Sequence, residues 1–91
     1  MYLEIVSPEA TLFSGEVTSV AVPGVNGEFE MLKDHAPIVS LLKDGHIKIY
    51  GDIKLEEEVE SRFVKAERGT WLAINSGTIE LKDNKVIVLA D

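Results

Sequence analysis

The feature that most constrains this chain is a repeated pattern of short apolar segments separated by Gly, Pro, Asn and Asp. Apolar and polar residues alternate within the segments, as from Glu28 to Met31, where Phe29 and Met31 are expected to face inward together. The separators, such as the run from Pro23 to Gly27, favour chain reversal because proline fixes φ and glycine tolerates positive φ. The pattern is typical of short strands joined by tight turns.

The length of the chain limits how these strands can pack. A chain of 91 residues cannot divide its apolar residues between two cores, so residues 1–91 are predicted to form one domain. About ten short strands on a chain too short for a large barrel predict an all-β fold, a two-sheet antiparallel β-sandwich. Within it, Asp44-Gly45 lies between the apolar segments 38–42 and 47–49. An Asp-Gly pair in that position predicts a hairpin.

One stretch departs from the alternation. Leu55, Val59 and Phe63 recur at every fourth residue, and most of the residues around them are glutamates. This spacing fits a short amphipathic helix, but a polar loop or an extended hairpin fits nearly as well, because two turns of isolated helix are marginally stable. The sequence therefore leaves a short helix, a polar loop and an extended hairpin open near 55–63. The Glu-rich segment 52–68 has no function that its sequence indicates.

The charge balance excludes some classes of partner. Nine Lys and Arg against 16 Asp and Glu give a net charge of −7, which repels nucleic-acid phosphates and anionic lipid headgroups. No apolar stretch approaches the ~20 residues that cross a bilayer, and the first residues lack the features of a signal peptide. We expect no nucleic-acid partner and no direct membrane insertion.

Residue types that carry chemistry are present, but without the spacing that the chemistry requires. His35 and His46 form no metal-ligand pattern, and the chain has no cysteine for a thiolate site. No serine lies in a G-x-S-x-G motif, and Gly24 and Gly27 are not followed by the Gly-Lys-Ser or Gly-Lys-Thr of a phosphate-binding loop. Trp71 is expected to pack beside its apolar neighbours in a strand. The sequence predicts no catalytic residue, no cofactor and no metal.

The segment from Glu28 to Pro37 is the most informative one. It carries several charged residues between two predicted strands and ends in Ala36-Pro37, where the proline restricts how the next strand begins. A charged and conformationally restrained loop suits a specific protein contact. An ordinary surface loop would have the same composition, so the residues alone leave both interpretations open.

Several short segments, taken in order, resemble the epsilon subunits of F-type ATP synthases. They are Leu3–Pro8, Phe13–Val17, Gly27–Phe29, His35–Pro37, Leu42–Gly45, Ser76–Glu80 and Val86–Asp91. The resemblance implies a ten-stranded sandwich that serves as a non-catalytic rotor subunit of the central stalk. In that family the domain packs against the gamma subunit and the c-ring, and it couples ring rotation to ATP synthesis. The implied location is peripheral, at the cytoplasmic face of the bacterial inner membrane.

The same resemblance implies which residues bind the partners. The residues expected to contact the c-ring and the gamma subunit are Glu28, Phe29, Glu30, Met31, Lys33, Asp34, His35, Ala36 and Pro37. Among these, Glu28 is expected to form an ion pair with the ring. The family often has Gly where Glu30 stands and Pro-Gly where Lys33-Asp34 stand, so the loop is expected to differ in geometry.

The resemblance also concerns the end of the chain. Most members of the family continue after the Leu-Ala-Asp pattern into a helical hairpin that can restrain ATP hydrolysis. If the natural protein ends at Asp91, that inhibition is expected to be absent.

Two functions from other classes stay open on the sequence alone. One is a β-sandwich recognition module for a glycan or a peptide, which would display aromatic side chains on one face. The other is a small hydrolase in which His35 acts with a nearby carboxylate.

Overall fold

The computed structural model describes residues 1–91 and consists almost entirely of β-strands. The strands are β1 (Tyr2–Val6), β2 (Thr11–Glu16), β3 (Ser19–Gly24), β4 (Gly27–Met31), β5 (Ile38–Leu42), β6 (Gly45–Tyr50), β7 (Phe63–Lys65), β8 (Thr70–Ile74), β9 (Gly77–Lys82) and β10 (Lys85–Ala90). One 3₁₀ helix, Glu60–Arg62, precedes β7. No helix in the structure has the length and apolar character needed to cross a bilayer.

The ten strands form one sheet that curls into two halves. The first half has the order β2-β1-β10-β9-β5, and the second has the order β4-β3-β6-β8-β7. A single backbone pairing, between Gly24 in β3 and Leu42 in β5, joins the two halves. Neighbouring strands are antiparallel except for β1 and β10, which are parallel. The predicted all-β sandwich of about ten short strands is confirmed.

The core lies between the two halves, and the alternation of the sequence decides which side chains enter it. Fully buried side chains come from both halves: Leu3, Ile5, Ile79, Leu81, Val86 and Val88 from the first, and Val20, Val22, Met31, Ile47, Ile49 and Leu72 from the second. Phe29 is half-buried and packs against this cluster. The prediction that Phe29 and Met31 face inward together is therefore confirmed.

The hairpin predicted at Asp44-Gly45 is wrong. Strand β5 pairs with β9 and touches β3 at one residue, whereas β6 pairs with β3 and β8. The turn carries the chain from one half of the sheet to the other. Gly45 has a φ of +155°, and a Cβ there would lie 2.8 Å from the Cβ of Pro23. Glycine is needed because the chain passes tightly against β3, not because two paired strands reverse there.

The segment near 55–63 forms no α-helix and no hairpin, and the short helix that the spacing allowed is the three-residue 3₁₀ helix Glu60–Arg62. Residues 57–59 make a turn that continues into the 3₁₀ helix, and Phe63 then begins β7. Val59 and Phe63 are buried in the core cluster, and Leu55 is half-buried against it. The four-residue spacing therefore identified which side chains are inside. It did not specify an α-helix because the run between Leu55 and β7 is too short to stabilise one.

The shared core predicts a sharp difference between two leucines. Leu81 is 1% exposed, and Leu41 on the outer surface is 63% exposed. Leu81→Ala should lower the free energy of unfolding by about 3 kcal/mol, because it leaves a cavity between the two halves. Leu41→Ala removes the same atoms and should cost less than about 1 kcal/mol. Urea denaturation of both variants checks this, and equal losses would contradict the assigned core.

Candidate partner-binding surface

Strand β4 is an edge strand, because it pairs only with β3. Its alternation places Glu28 and Glu30 on the outer surface, where both are exposed. Met31 points the other way and is 0% exposed, so its side chain is out of reach of a partner. Phe29 also packs toward the core. Of the four β4 residues predicted to bind partners, the structure presents only the two glutamates.

Glu28 already has a cationic partner within the chain. Its Oε1 lies 2.9 Å from Nζ of Lys48 on β6, and the hydrogen bond from the ammonium to this carboxylate raises the pKa of Lys48. The Lys48 ammonium also lies 4.4 Å from the ring centroid of Trp71. A basic group of another protein that approaches Glu28 must therefore compete with Lys48.

Trp71 packs on the outer surface of the sheet and not in the core. Its ring lies 5.5 Å from the ring of His46, and its Nε1 donates a hydrogen bond of 2.9 Å to the carbonyl of Arg68. Trp71 therefore has the packing role that the sequence predicted, but its neighbours are polar side chains on the outer surface. Side chains alternate between the two sides of a strand, so Leu72 and Ile74 enter the core and Trp71 faces outward.

Glu30 is tied to the neighbouring strand through a serine. The hydroxyl of Ser19 donates a hydrogen bond of 2.7 Å to Oε2 of Glu30. The side chain thus lies over β3. An acidic residue fits here because β4 is at the edge and its outer surface is open to solvent.

The loop that joins β4 to β5 holds the other predicted residues, and all of them are exposed. They are Lys33, Asp34, His35, Ala36 and Pro37. Asp34 has a φ of 65°, which lies in the left-handed region. Glycine adopts this conformation readily, and the family often has glycine at the position of Asp34. Aspartate is one of the other residues that tolerate the left-handed conformation.

A side chain distant in sequence holds this loop. The amide N–H of Asp34 donates to Oδ1 of Asn84 at 2.6 Å, and Nδ2 of Asn84 donates to Oδ1 of Asp34 at 2.8 Å. Asn84 lies in the turn between β9 and β10. Asn84 is not among the residues predicted from the sequence, because nothing in its local pattern distinguishes it from an ordinary turn residue.

A second surface, which we call the apolar face, covers the outside of the first half of the sheet. Its residues are Val6, Val39, Leu41, Ile87 and Leu89. Val39 is 76% exposed and Leu89 is 51% exposed. Leu41 pairs with Thr78, Thr78 pairs with Leu89, and Leu89 pairs with Val6. These four residues form a row across β5, β9, β10 and β1. Between β5, β9 and β10 this face contains a shallow depression of about 310 Å³.

The sequence itself contains a signal for the apolar face. Residues 38–42 are nearly all apolar, so both faces of that strand carry apolar side chains. Such a strand is usually covered on both sides. Here one side enters the core and the other, with Val39 and Leu41, faces solvent. That combination indicates a surface that another molecule covers.

The geometry gives little support to the two other functions. None of the six aromatic side chains is exposed, whereas a glycan or peptide module would display several of them. Nδ1 of His35 lies 2.7 Å from the carbonyl of Ala36, to which it donates. A histidine base would instead be oriented by a carboxylate, and the Asp34 carboxylate is engaged by Asn84.

Comparison with known proteins finds one family. The family described as ATP synthase, Delta/Epsilon chain, beta-sandwich domain matches residues 1–91. An ATP synthase epsilon chain of Chlorobium limicola is 37% identical over 89 residues, which are 98% of this chain and 86% of that protein. One of Campylobacter curvus is 40% identical over 91 residues, which are 100% of this chain and 60% of that protein. The chain therefore spans between three fifths and most of the length of these relatives.

A solved structure has the same fold. It is a chain of the central stalk and c-ring structure of the Tetrahymena thermophila mitochondrial ATP synthase, with a TM-score of 0.73. The match covers 99% of this chain and 62% of that chain, at 13% sequence identity. At that identity the likeness concerns the fold.

The ion pair on β4 generates a prediction about the titration of Lys48. Glu28→Gln should lower the pKa of Lys48 toward the ordinary value of 10.5, because a neutral amide stabilises the ammonium less. Since the folded-state pKa is raised, the interaction stabilises the fold below the ordinary pKa and is lost as pH rises through the folded-state pKa. NMR titration of the Lys48 side chain measures both proteins. Glu30→Gln is the control and should leave the pKa of Lys48 unchanged. If the pKa of Lys48 is also unchanged in Glu28→Gln, the pairing is refuted.

Proposed function

The chain belongs to the family of the ATP synthase delta/epsilon chain β-sandwich domain, which it matches over residues 1–91, and on that premise we propose that it is a rotor subunit of an F-type ATP synthase. In this role it packs against the gamma subunit and the c-ring of the central stalk and couples ring rotation to ATP synthesis. It contributes no catalytic group of its own. Its proposed location is peripheral, at the cytoplasmic face of a bacterial inner membrane, where the c-ring presents its polar loops.

The observation that carries this proposal is the apolar face. Exposed side chains such as Val39 and Leu41 lie side by side on a sheet whose other side is fully packed. An exposed surface of this kind, apolar except where β9 contributes Thr78 and Glu80, marks a protein contact. We assign it to the gamma subunit, because a long-lived contact between two rotor subunits is expected to be apolar, as permanent interfaces are.

The acidic outer surface of β4 and the following loop are assigned to the c-ring. Glu28 and Glu30 are exposed there, and the chain as a whole carries a net charge of −7. Such a surface attracts basic polar loops and orients the two bodies as they meet. The ion pair with Lys48 gives Glu28 a fixed position in the free chain, and a basic group of the ring would share or replace that partner.

The body of the domain suits a mechanical role. Both halves of the sheet contribute to one continuous core, so a force applied to either half acts on the same packed side chains. Protein interiors are close-packed and of low compressibility, so the domain transmits a torque with little deformation. A rotor component needs this stiffness, because elastic deformation would separate the rotation of the ring from that of the shaft.

The assignment of the apolar face predicts the effect of a buried charge. Leu41→Asp should weaken binding to the gamma subunit by at least about 100-fold, because the carboxylate would lose its hydration in the interface. Val64→Asp is the matched control, since Val64 is 64% exposed on β7 in the other half, against 63% for Leu41. Surface plasmon resonance with the gamma subunit of the same organism measures both. Equal affinities for the wild type and Leu41→Asp would refute the assignment.

The assignment of β4 predicts the effect of charge reversal. Glu28→Arg should reduce assembly with the c-ring by about tenfold or more and should reduce it further at low salt, because the variant repels basic loops. Glu58→Arg makes the same charge change at an exposed residue of the turn 57–59 and should assemble normally. Pull-down with purified c-ring and gamma subunit at two salt concentrations tests this. Thermal unfolding of each variant shows that the fold persists, and unchanged assembly of Glu28→Arg would remove the ring from the proposed role of β4.

A further inference from the structure

The reciprocal hydrogen bonds between Asp34 and Asn84 join two parts of the chain that are 50 residues apart. One is the loop 32–37 between β4 and β5, which we call the partner loop. The other is the turn Asp83-Asn84 between β9 and β10. Each residue both donates and accepts, so the two bonds fix the relative orientation of the two segments as well as their distance.

The anchor is a rigid part of the fold. Asp83 and Asn84 have φ values of 52° and 61°, as a two-residue turn between twisted antiparallel strands requires. Lys82 and Lys85 are paired on either side of them. The carbonyl of Asn84 also accepts a hydrogen bond of 2.9 Å from the amide of Tyr2, which ties the turn to β1.

The partner loop has few other restraints. All residues from 32 to 37 are exposed, and the loop contains one internal backbone bond, from the amide of His35 to the carbonyl of Leu32 at 3.1 Å. The two bonds with Asn84 are the only hydrogen bonds that connect the loop to another part of the chain. Asp34 is held in the left-handed region, at a φ of 65°, where a non-glycine residue needs support from its surroundings.

We infer that Asn84 is a positioning residue, whose carboxamide holds the partner loop in its binding conformation before any partner arrives. A loop ordered in advance does not lose conformational freedom on binding, so association is faster and tighter. This inference rests on the proposed function, because it assumes that the loop meets another subunit. It gives a role in that function to a residue 50 positions away in the sequence, which acts through its contact with the loop.

The first measurement concerns the loop in the isolated chain. Asn84→Gly keeps the left-handed backbone accessible and removes both bonds to Asp34, so amide exchange at residues 33–35 should become about tenfold faster. Asp83→Gly is the matched control, since it gives the same backbone freedom at the neighbouring position of the turn, and it should leave exchange in the loop unchanged. Hydrogen exchange followed by mass spectrometry or NMR reads each segment. Unchanged exchange in Asn84→Gly overturns the inference.

A charge swap separates the hydrogen-bond pair from general effects of substitution. Asn84→Asp sets a second carboxylate against that of Asp34, so the loop should again exchange faster. In the double variant Asp34→Asn with Asn84→Asp, the new amide donates to the new carboxylate, and exchange should return to within about twofold of the wild type. Failure of the double variant to recover protection counts against a direct pairing.

The second measurement is association with the gamma subunit and c-ring. Asn84→Gly should reduce the association rate by about fivefold to tenfold, and the swapped pair should restore it. A loosened loop with an unchanged association rate overturns the positioning role while leaving the proposed function intact. If the wild type itself fails to bind the subunits, the proposed function is wrong, and the positioning role is lost with it. The two failures are thus distinguished by the behaviour of the wild type.

Discussion

The fold depends on one shared core that the two halves of a single curled sheet enclose. Each strand contributes alternate side chains to that core, so a shift of register by one residue would expose its apolar set and bury its polar one. The halves meet at a corner where β3 pairs with both β4 and β6 and touches β5 at Gly24. A Cβ at Gly24 would lie 2.7 Å from the Phe29 ring of β4, so the close packing of β4 on β3 beside this junction requires glycine.

This corner also explains where the proposed binding surfaces lie. The chain leaves β3, forms the edge strand β4, and then crosses to β5 in the other half through the partner loop. The loop therefore spans the junction, with the acidic outer side of β4 before it and the apolar face, beginning at Val39, after it. Two surfaces of different chemistry thus lie on one continuous segment of the chain. Asn84, in the β9–β10 turn, is hydrogen-bonded to Asp34 in the loop between them.

The two carboxylates of β4 already have partners within the free chain, so the proposed site is less negative than the net charge of the chain suggests. Of the charged residues on β4 and its neighbours, Glu28 is paired with Lys48 and Glu30 accepts a hydrogen bond from Ser19. The site therefore presents oriented carboxylates, which favours a specific contact over general attraction. Exposed ion pairs contribute little to folding, so stability alone gives little reason for this arrangement.

The sequence alone determined the properties that follow from local periodicity: an all-β chain of short strands, the inward direction of Phe29 and Met31, the burial of Val59 and Phe63, and the exposed loop before Pro37. Alternation and turn chemistry act between near neighbours, so they can be recognised without coordinates. Only the tertiary structure decided which strands pair, that Asp44-Gly45 crosses between the halves, that Val39 and Leu41 have no cover, and that Asn84 reaches Asp34. These outcomes depend on which segments of the chain meet in the folded structure. A local pattern can identify a turn or an apolar strand, but it does not specify which other strand pairs with it.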